Sequence, residues 1–436
     1  MKVDGGMALG QCRAPMRLAL LSLILLVAAS PGAVAAPPAD VVVGAVYPLS
    51  GNLAKVGTDI KDAVELAVEL VNDDVDVPVP LGKGKGLPHL GGARLRVVFA
   101  DHQSSPEKGL SEAERLVTQE KVVALLGAYN SNVTATASQA AERLHIPFLS
   151  GESTSPLLTA RGFRWFFRTT PTDEEFSENF FKFLDEMKKR GRAAKNVALL
   201  YENTLFGTDV SKLEKKYAQQ HGYPVVADIA YDAKSANLSS EIQRLKAAAP
   251  EVLLQASYTS DAILSTRTMK ELDFRPQAIL AMDAGHVASE FLPALGKDAE
   301  GIISREVWAA GLSAKKPLVR TVNELFRKKT QASRGQAIDM DGTSARAFVA
   351  LLVLADAIDR AGSTDPEKIR AGLEATDLGA GALIMPWRGV KFDPKTHQNV
   401  LGQGILVQVQ DGKYQVVYPF DLAAAEVRWP LTPWGK

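Results

Sequence analysis

Two clusters of small polar residues follow two greasy stretches of the chain. The first comprises Asn130, Ser131, Asn132, Thr134, Thr136 and Ser138, directly after "ALLGAY". The second is "SGESTSP", which holds Glu152, Ser153 and Thr154 and follows "IPFL". Hydroxyls and carboxamides without a partner base do hydrogen-bonding chemistry rather than bond cleavage. Where a strand turns into a helix, they stand beside the unpaired N–H groups and the positive end of the helix dipole. Such a place holds a carboxylate or phosphate without a formal positive charge. The same residue types also cap helices and fill turns, but two clusters at successive strand ends ask for a shared purpose.

Motifs for catalysis are absent from the sequence. There is no G-x-S-x-G and no H-E-x-x-H. The six histidines, at positions 89, 102, 145, 221, 286 and 397, are scattered. The single cysteine, Cys12, precedes the first apolar stretch, so the rest of the chain has no disulfide, thiolate metal site or cysteine nucleophile. No metal or cofactor is expected. The second half of the chain offers three more candidates. Phe206 precedes a glycine, Tyr258 follows "LLQAS", and Asp283 follows "AILAM". An aromatic ring at a strand end lines a pocket or joins the core. Asp283 pairs with a ligand ammonium or caps the next helix.

These residues are positioned by a repeating pattern. "VVVGAV" at 41–46 reads as a buried strand, and "TDIKDAVELAVELVN" as a helix with apolar residues at helical spacing and Thr58 as its N-cap. "ARLRVVFAD" is a strand, and "SSPEKGLSEAERLVTQ" a helix with Ser105 as N-cap and Pro106 in the first turn. The strand 122–127, the helix 132–144 and the strand "IPFLS" complete a strand–helix alternation that implies a parallel sheet with helices on both faces. The Gly/Pro-rich stretch 77–92 reads as an exposed loop or hairpin, because its G-x-G-x-G precedes a strand instead of opening a helix. After "RWFFRTTPTDEEF" the rhythm restarts, with strands at 196–201, 251–257 and 278–283 and the strand "VVADIAY". A long helix at 342–362, a short one at 366–374 and a closing hairpin with its turn at Asp411-Gly412 follow. The expected fold class is α/β with two Rossmann-like units. In such open sheets ligands bind beyond the carboxyl ends of the strands, where both polar clusters lie.

A chain of 436 residues is long for a single core, so two domains are the natural expectation. Lys plus Arg equals Asp plus Glu, at 50 each, and this balance gives no footprint for a nucleic-acid partner. Arg13 and Arg17, the stretch "LALLSLILLVAA" and the site Ala33-Val34-Ala35 read as a secretory signal peptide spanning 1–36, cleaved near Ala35-Ala36. A periplasmic location is expected.

The chain resembles the periplasmic substrate-binding proteins of ABC transporters, in the leucine/isoleucine/valine-binding branch. The resemblance is carried by "VGAVYPLSGNLAKVGTDIKDAVELAVELVN", by the run from "RVVFADHQSSPEKGL" through "LLGAYNSNVTATASQAAERLHIPFLSGESTSP", by "VALLYENTLFGTDV", and by "AILAMDAGHVASEFLPALGKDAEGI". It implies a type I periplasmic-binding-protein fold: two lobes joined by three hinge crossovers near 169–173, 308–312 and 386–391. Lobe one would be 40–170 plus 312–386, and lobe two 173–308 plus 391–436. The ligand, an amino acid or related carboxylate or amide, would lie between lobes that close on it and would be delivered to a permease by a monomeric receptor. The resemblance puts the carboxylate-binding serine at Ser131 and the threonine contacting carboxylate and ammonium at Thr154. A backbone carbonyl facing the ammonium falls at Glu152, the rim aromatic at Phe206, the pocket tyrosine at Tyr258, and the acidic partner of the ammonium near Asp283. Asn130 stands where a first-lobe cysteine pair is missing, and Ser153 lies between two site positions. Which of Glu152 and Asp283 holds an amine stays open. An exported α/β enzyme acting on a small acid and a ligand-sensing receptor component are the alternatives.

Overall fold

The computed structural model describes residues 39–73 and 75–434. The expected signal peptide lies outside the described residues. The first sheet is wholly parallel. Its strands are β1 (Val41–Tyr47), β2 (Leu95–Asp101), β3 (Ala124–Gly127), β4 (Phe148–Ser150) and β5 (Phe166–Arg168), in the order β2-β1-β3-β4-β5. The connecting helices are α1 (Ala54–Asn72), α2 (Pro106–Thr118), α3 (Ser131–Leu144) and the single turn α4 (Leu157–Ala160). Buried Val, Leu and Ala fill β1 and β3, the pattern of strands covered on both faces.

The second sheet has seven strands. They are β6 (Val197–Glu202), β7 (Val225–Tyr231), β8 (Val252–Ala256), β9 (Ala278–Ala281) and β10 (Ile303–Glu306), interleaved with α5 (Asp173–Lys189), α6 (Leu205–His221), α7 (Ser239–Ala248), α8 (Thr259–Glu271) and α9 (Phe291–Leu295). The chain then forms α10 (Pro317–Arg334), α11 (Gly342–Ala361), α12 (Pro366–Glu374) and the short pair β11 (Asp377–Gly379) and β12 (Gly389–Lys391). It returns as β13 (Ile405–Gln410) and β14 (Lys413–Tyr418), giving the order β14-β13-β10-β9-β8-β6-β7. β13 runs antiparallel to β10 and β14 antiparallel to β13. The left-handed Asp411 and Gly412 (φ 53° and 70°) make their tight turn.

Among the described residues the chain therefore passes between the sheets three times: from β5 into α5, from β10 toward α11, and back into β13. α11 packs on α1 and against β3 and β4. It is apolar almost all round, with Phe348, Leu351, Leu354 and Ile358 at or near zero exposure, as a helix between other layers must be.

The termini of several elements differ from the sequence reading. Thr58 does not cap α1. The helix begins at Ala54, straight after a 3₁₀ turn at Gly51–Leu53, and the Thr58 hydroxyl donates to the Ala54 carbonyl at 2.7 Å. α6 begins at Leu205, so Phe206 lies in its first turn. The 77–92 stretch is only partly exposed. Val77, Val79 and Leu87 are buried, Leu87 bridges to Ala93, and the His89 N–H donates to Asp359 on α11 at 2.8 Å. The reading of β10 was missed at sequence level, because Ser304, Arg305 and Glu306 give it no apolar run.

Candidate functional site

The carboxyl ends of both sheets face one place. On the first sheet, β3 ends in Gly127, Tyr129 takes a left-handed backbone (φ 75°), and α3 starts at Ser131. β4 ends in Ser150 and runs into Glu152 and Thr154. Across from them, Phe206 sits in the first turn of α6, Tyr258 precedes α8, and Asp283 follows β9 with φ 53°. Non-glycine residues at positive φ are costly and cluster at functional sites. The start of α6 is held close. The Gly207 N–H donates to the Glu202 carboxylate at 2.8 Å, and a Cβ on Gly207 would lie 2.0 Å from the Glu202 carbonyl oxygen. Only glycine permits that approach, which fixes the adjacent Phe206 ring.

Ser131, Glu152, Thr154, Phe206, Tyr258 and Asp283 line one cavity. Two of the nominated residues do not. Ser153 is occupied by the scaffold: its hydroxyl donates to the Tyr129 carbonyl at 2.9 Å and meets the Thr134 hydroxyl at 2.6 Å. That hydroxyl in turn accepts the Ala128 N–H at 3.0 Å. The chain of three bonds locks the β3 and β4 ends together. Asn130 lines a neighbouring cavity instead, with Asn132 and the other side of Tyr258.

The cavity also contains residues that the sequence reading passed over. Arg305 of β10 and Arg346 of α11, each fully buried, both donate to Oδ2 of Asp283, at 2.7 and 2.6 Å. Arg305 also stacks over Phe176, 4.0 Å from the ring centroid. Asp283, one of the two carboxylates named as a partner for an amine, thus already has two guanidinium partners on Oδ2, while its Oδ1 has none. Burial opposes its ionisation, yet Arg346 and Arg305 hold its carboxyl below the ordinary range. Tyr47, at the end of β1, donates to Oε1 of Glu152 at 3.0 Å. Burial pushes Glu152 up to about 7, against the pull of Arg346 and of the Tyr47 hydrogen bond. Tyr129, Tyr258 and Phe206 form an aromatic wall, with centroids 5.9 Å apart for the first pair and 5.6 Å for the second.

Several polar atoms at this place are buried without a partner: Oε2 of Glu152, Oδ1 of Asp283, the Tyr129 hydroxyl, Nε of Arg305, and Nε and Nη1 of Arg346. Buried polar atoms are normally paired, so a cluster of orphaned donors and acceptors beside aromatic rings is what a small polar ligand would satisfy. The free volume among them is only about 20 Å³, room for a single water. A larger guest enters only if the walls separate. One signal of the arginines was in the sequence. Arg346 is the one charged residue in "GTSARAFVALLVLA", and a charge in a buried helix needs partners.

Among the described residues no helix is long and apolar enough to cross a membrane. Comparison with known proteins agrees with the architecture. The chain is 28% identical over 415 residues to "Leu/Ile/Val-binding protein homolog 7" of Brucella abortus, covering 94% of this chain and 98% of that one. The crystal structure of LivJ, a branched-chain amino acid transporter substrate-binding protein from Streptococcus pneumoniae in complex with isoleucine, superposes with a TM-score of 0.70 at 21% identity, covering 90% of this chain and all of the other. A solute-binding protein from R. palustris in complex with 4-hydroxybenzoate does so with a TM-score of 0.70 at 20% identity, covering 91% and 99%. The family described as "Periplasmic binding protein" matches residues 40–413. With its two α/β lobes, its three passages between sheets and a site at their facing strand ends, the chain belongs to the periplasmic binding protein family.

Proposed function

We propose that this solute-binding protein captures an α-amino acid with an apolar or aromatic side chain and delivers it to an ABC permease from outside the cytoplasmic membrane. The lobes are taken as 40–170 plus 312–386 and 173–308 plus 391–436. The observation that carries the reading is the buried Glu152 carboxyl, whose Oε2 has no partner while hydroxyls and guanidiniums stand nearby. A ligand ammonium would ionise Glu152 and satisfy that oxygen. Ser131, Thr154 and the free N–H groups of Arg346 would take the ligand carboxylate, and Phe206, Tyr258 and Tyr129 would take the side chain. The ligand ammonium would then face Glu152 and the ligand carboxylate Arg346, while Arg305 is shared by Asp283 and Asp173. The named relatives, a Leu/Ile/Val-binding homologue and an isoleucine complex, support the same class.

One observation favours a second reading. With Asp283 already held by both arginines, a protonated Glu152 would leave the free N–H groups of Arg346 to a plain aromatic carboxylate such as the one bound by the R. palustris protein. Calorimetry with phenylalanine and its deaminated analogue, on the natural chain and on Glu152→Gln, separates them. The amino-acid reading expects the natural chain to prefer phenylalanine at least tenfold and Glu152→Gln to lose that preference. Equal or tighter binding of the analogue by the natural chain establishes the second reading. Ser131→Ala and Thr154→Ala should each weaken either ligand, by about 1.5–3 kcal/mol for a hydrogen bond to a charged group.

A further inference from the structure

β10 serves two cavities. Successive side chains of a strand point to opposite faces, and Arg305 lines the cavity described above while Glu306 lines another. The second cavity is larger, about 520 Å³, and no residue lines both. Its walls come from the segment after β9, the end of β10, the loop between α10 and α11, and the β13–β14 turn. Val287, Trp308, Ile338 and Met340 make it largely apolar.

Two cations line it as well, Arg327, which pairs with Asp339 at 2.8 Å, and the exposed Lys413, while Glu306 and Asp341 form its acidic end. Glu306 is 2% exposed. One carboxylate oxygen accepts the backbone N–H groups of Val307 and Trp308 at 2.6 and 3.2 Å, and the other, Oε1, has no partner. Asp341, the N-cap of α11, also lines the cavity, and its Oδ1 accepts the Ser344 N–H at 2.7 Å. Gly342 makes room for this arrangement, since a Cβ there would fall 1.8 Å from Oε2 of Glu306. The Nε1–H of Trp308 is likewise buried and unpartnered.

We propose that this second cavity binds a small organic amine with an apolar body, its ammonium held by the carboxyls of Glu306 and Asp341. The ammonium would give Oε1 of Glu306 the partner it lacks, and the indole of Trp308 offers both an aromatic face for the cation and a donor for an oxygen on the ligand. Burial first, and then the charge of Asp283, pushes Glu306 upward, with Asp341 adding to this and Arg346 opposing it. An uncompensated carboxylate at this depth is costly, and a bound cation removes that cost. The proposal does not depend on the identity of the ligand in the first cavity.

The test is calorimetric titration of the full chain with 2-phenylethylamine and with 2-phenylethanol, its neutral counterpart. Amine binding is expected to be at least tenfold tighter than alcohol binding, lost in Glu306→Gln, and blocked in Ile338→Trp, which adds bulk to the lining and leaves both carboxyl residues unchanged. The double variant Ser131→Ala/Thr154→Ala should bind the amine as the natural chain does. No measurable amine binding at millimolar concentration, equal binding of the alcohol, or unchanged binding in a natively folded Ile338→Trp overturns the proposal. Loss in the Ser131→Ala/Thr154→Ala variant overturns it too, because the amine would then lie in the first cavity.

Discussion

Glu152 is the buried carboxyl on which the proposed amino-acid reading rests. Its ordinary value lies near 4.5, and burial raises it to about 7 in the folded chain. Between those two values the folded state holds a proton that the unfolded state has released. Stability contributed by this group is therefore present below about 4.5 and is lost as pH rises through about 7. Glu152→Gln removes the titration. The ligand-free variant should hold its melting temperature between pH 5 and pH 8 better than the natural chain does, as read by calorimetric scans at both values. A drop of equal size in both proteins would mean that Glu152 is ionised throughout. At this scale the sequence spoke unevenly. Ser131 and Ser153 are the same residue type, each at a strand end, and nothing in the sequence says that one faces the cavity while the other bonds back to the Tyr129 carbonyl. That distinction rests on a turn of the backbone. Arg346, by contrast, was legible as a lone charge in an apolar helix, whereas Arg305 sits in a strand too polar to be read as one.

Elements carry the site by their ends. α5 opens with a capping box in which Thr172 accepts the Glu175 N–H at 3.4 Å and Glu175 accepts the Thr172 N–H at 2.8 Å. The next residue, Asp173, is fully buried and lies 3.8 Å from the Arg305 guanidinium. A frayed first turn would therefore loosen an arginine of the site as well as a helix. Thr172→Ala should lower stability by about 1 kcal/mol, the usual cost of losing an N-cap, in urea unfolding, and should weaken ligand binding as well. A stability loss without any change in affinity would place the cap outside the workings of the site. The alternation of strand and helix was legible because apolar spacing follows burial. Where helices begin was less so. Thr58 has the composition of a cap, but the preceding 3₁₀ turn delivers the chain into α1 one turn earlier. Gly51, Asn52 and Leu53 carry no propensity that announces this.

Across the molecule the two lobes touch directly. Lys55 of α1 donates to the Ser289 hydroxyl at 2.9 Å, Ser289 donates to Asp59, and Ser155 donates to Asp209 of α6. With Arg346 on Asp283 and Tyr129 against Tyr258, these contacts describe a shut cleft. A ligand that contacts both walls favours the shut form by its difference in affinity for the two states. Contacts made only when shut set the equilibrium without ligand. Ser289→Ala combined with Asp209→Asn should raise the radius of gyration of the ligand-free chain in X-ray scattering and weaken ligand binding, with saturating ligand restoring the compact profile. An unchanged ligand-free profile would mean that the passages between the lobes, not these bonds, hold the cleft shut. The three passages themselves could not be read from local pattern, because spacing reports which residues are buried and not which sheet they join.

The packing of α11 on α1 also sets an order in time. β1 to β5 are complete once residue 168 has been made, but α1, which carries the buried Ile60, Ala63 and Val64, packs on a helix that comes only at 342–361. At ~5–20 residues per second, a ribosome takes roughly 10–35 s to supply it. Through that interval the amino-terminal half carries an unfinished apolar surface and cannot settle into its final form alone. A chain built this way stays pliable until it is nearly whole.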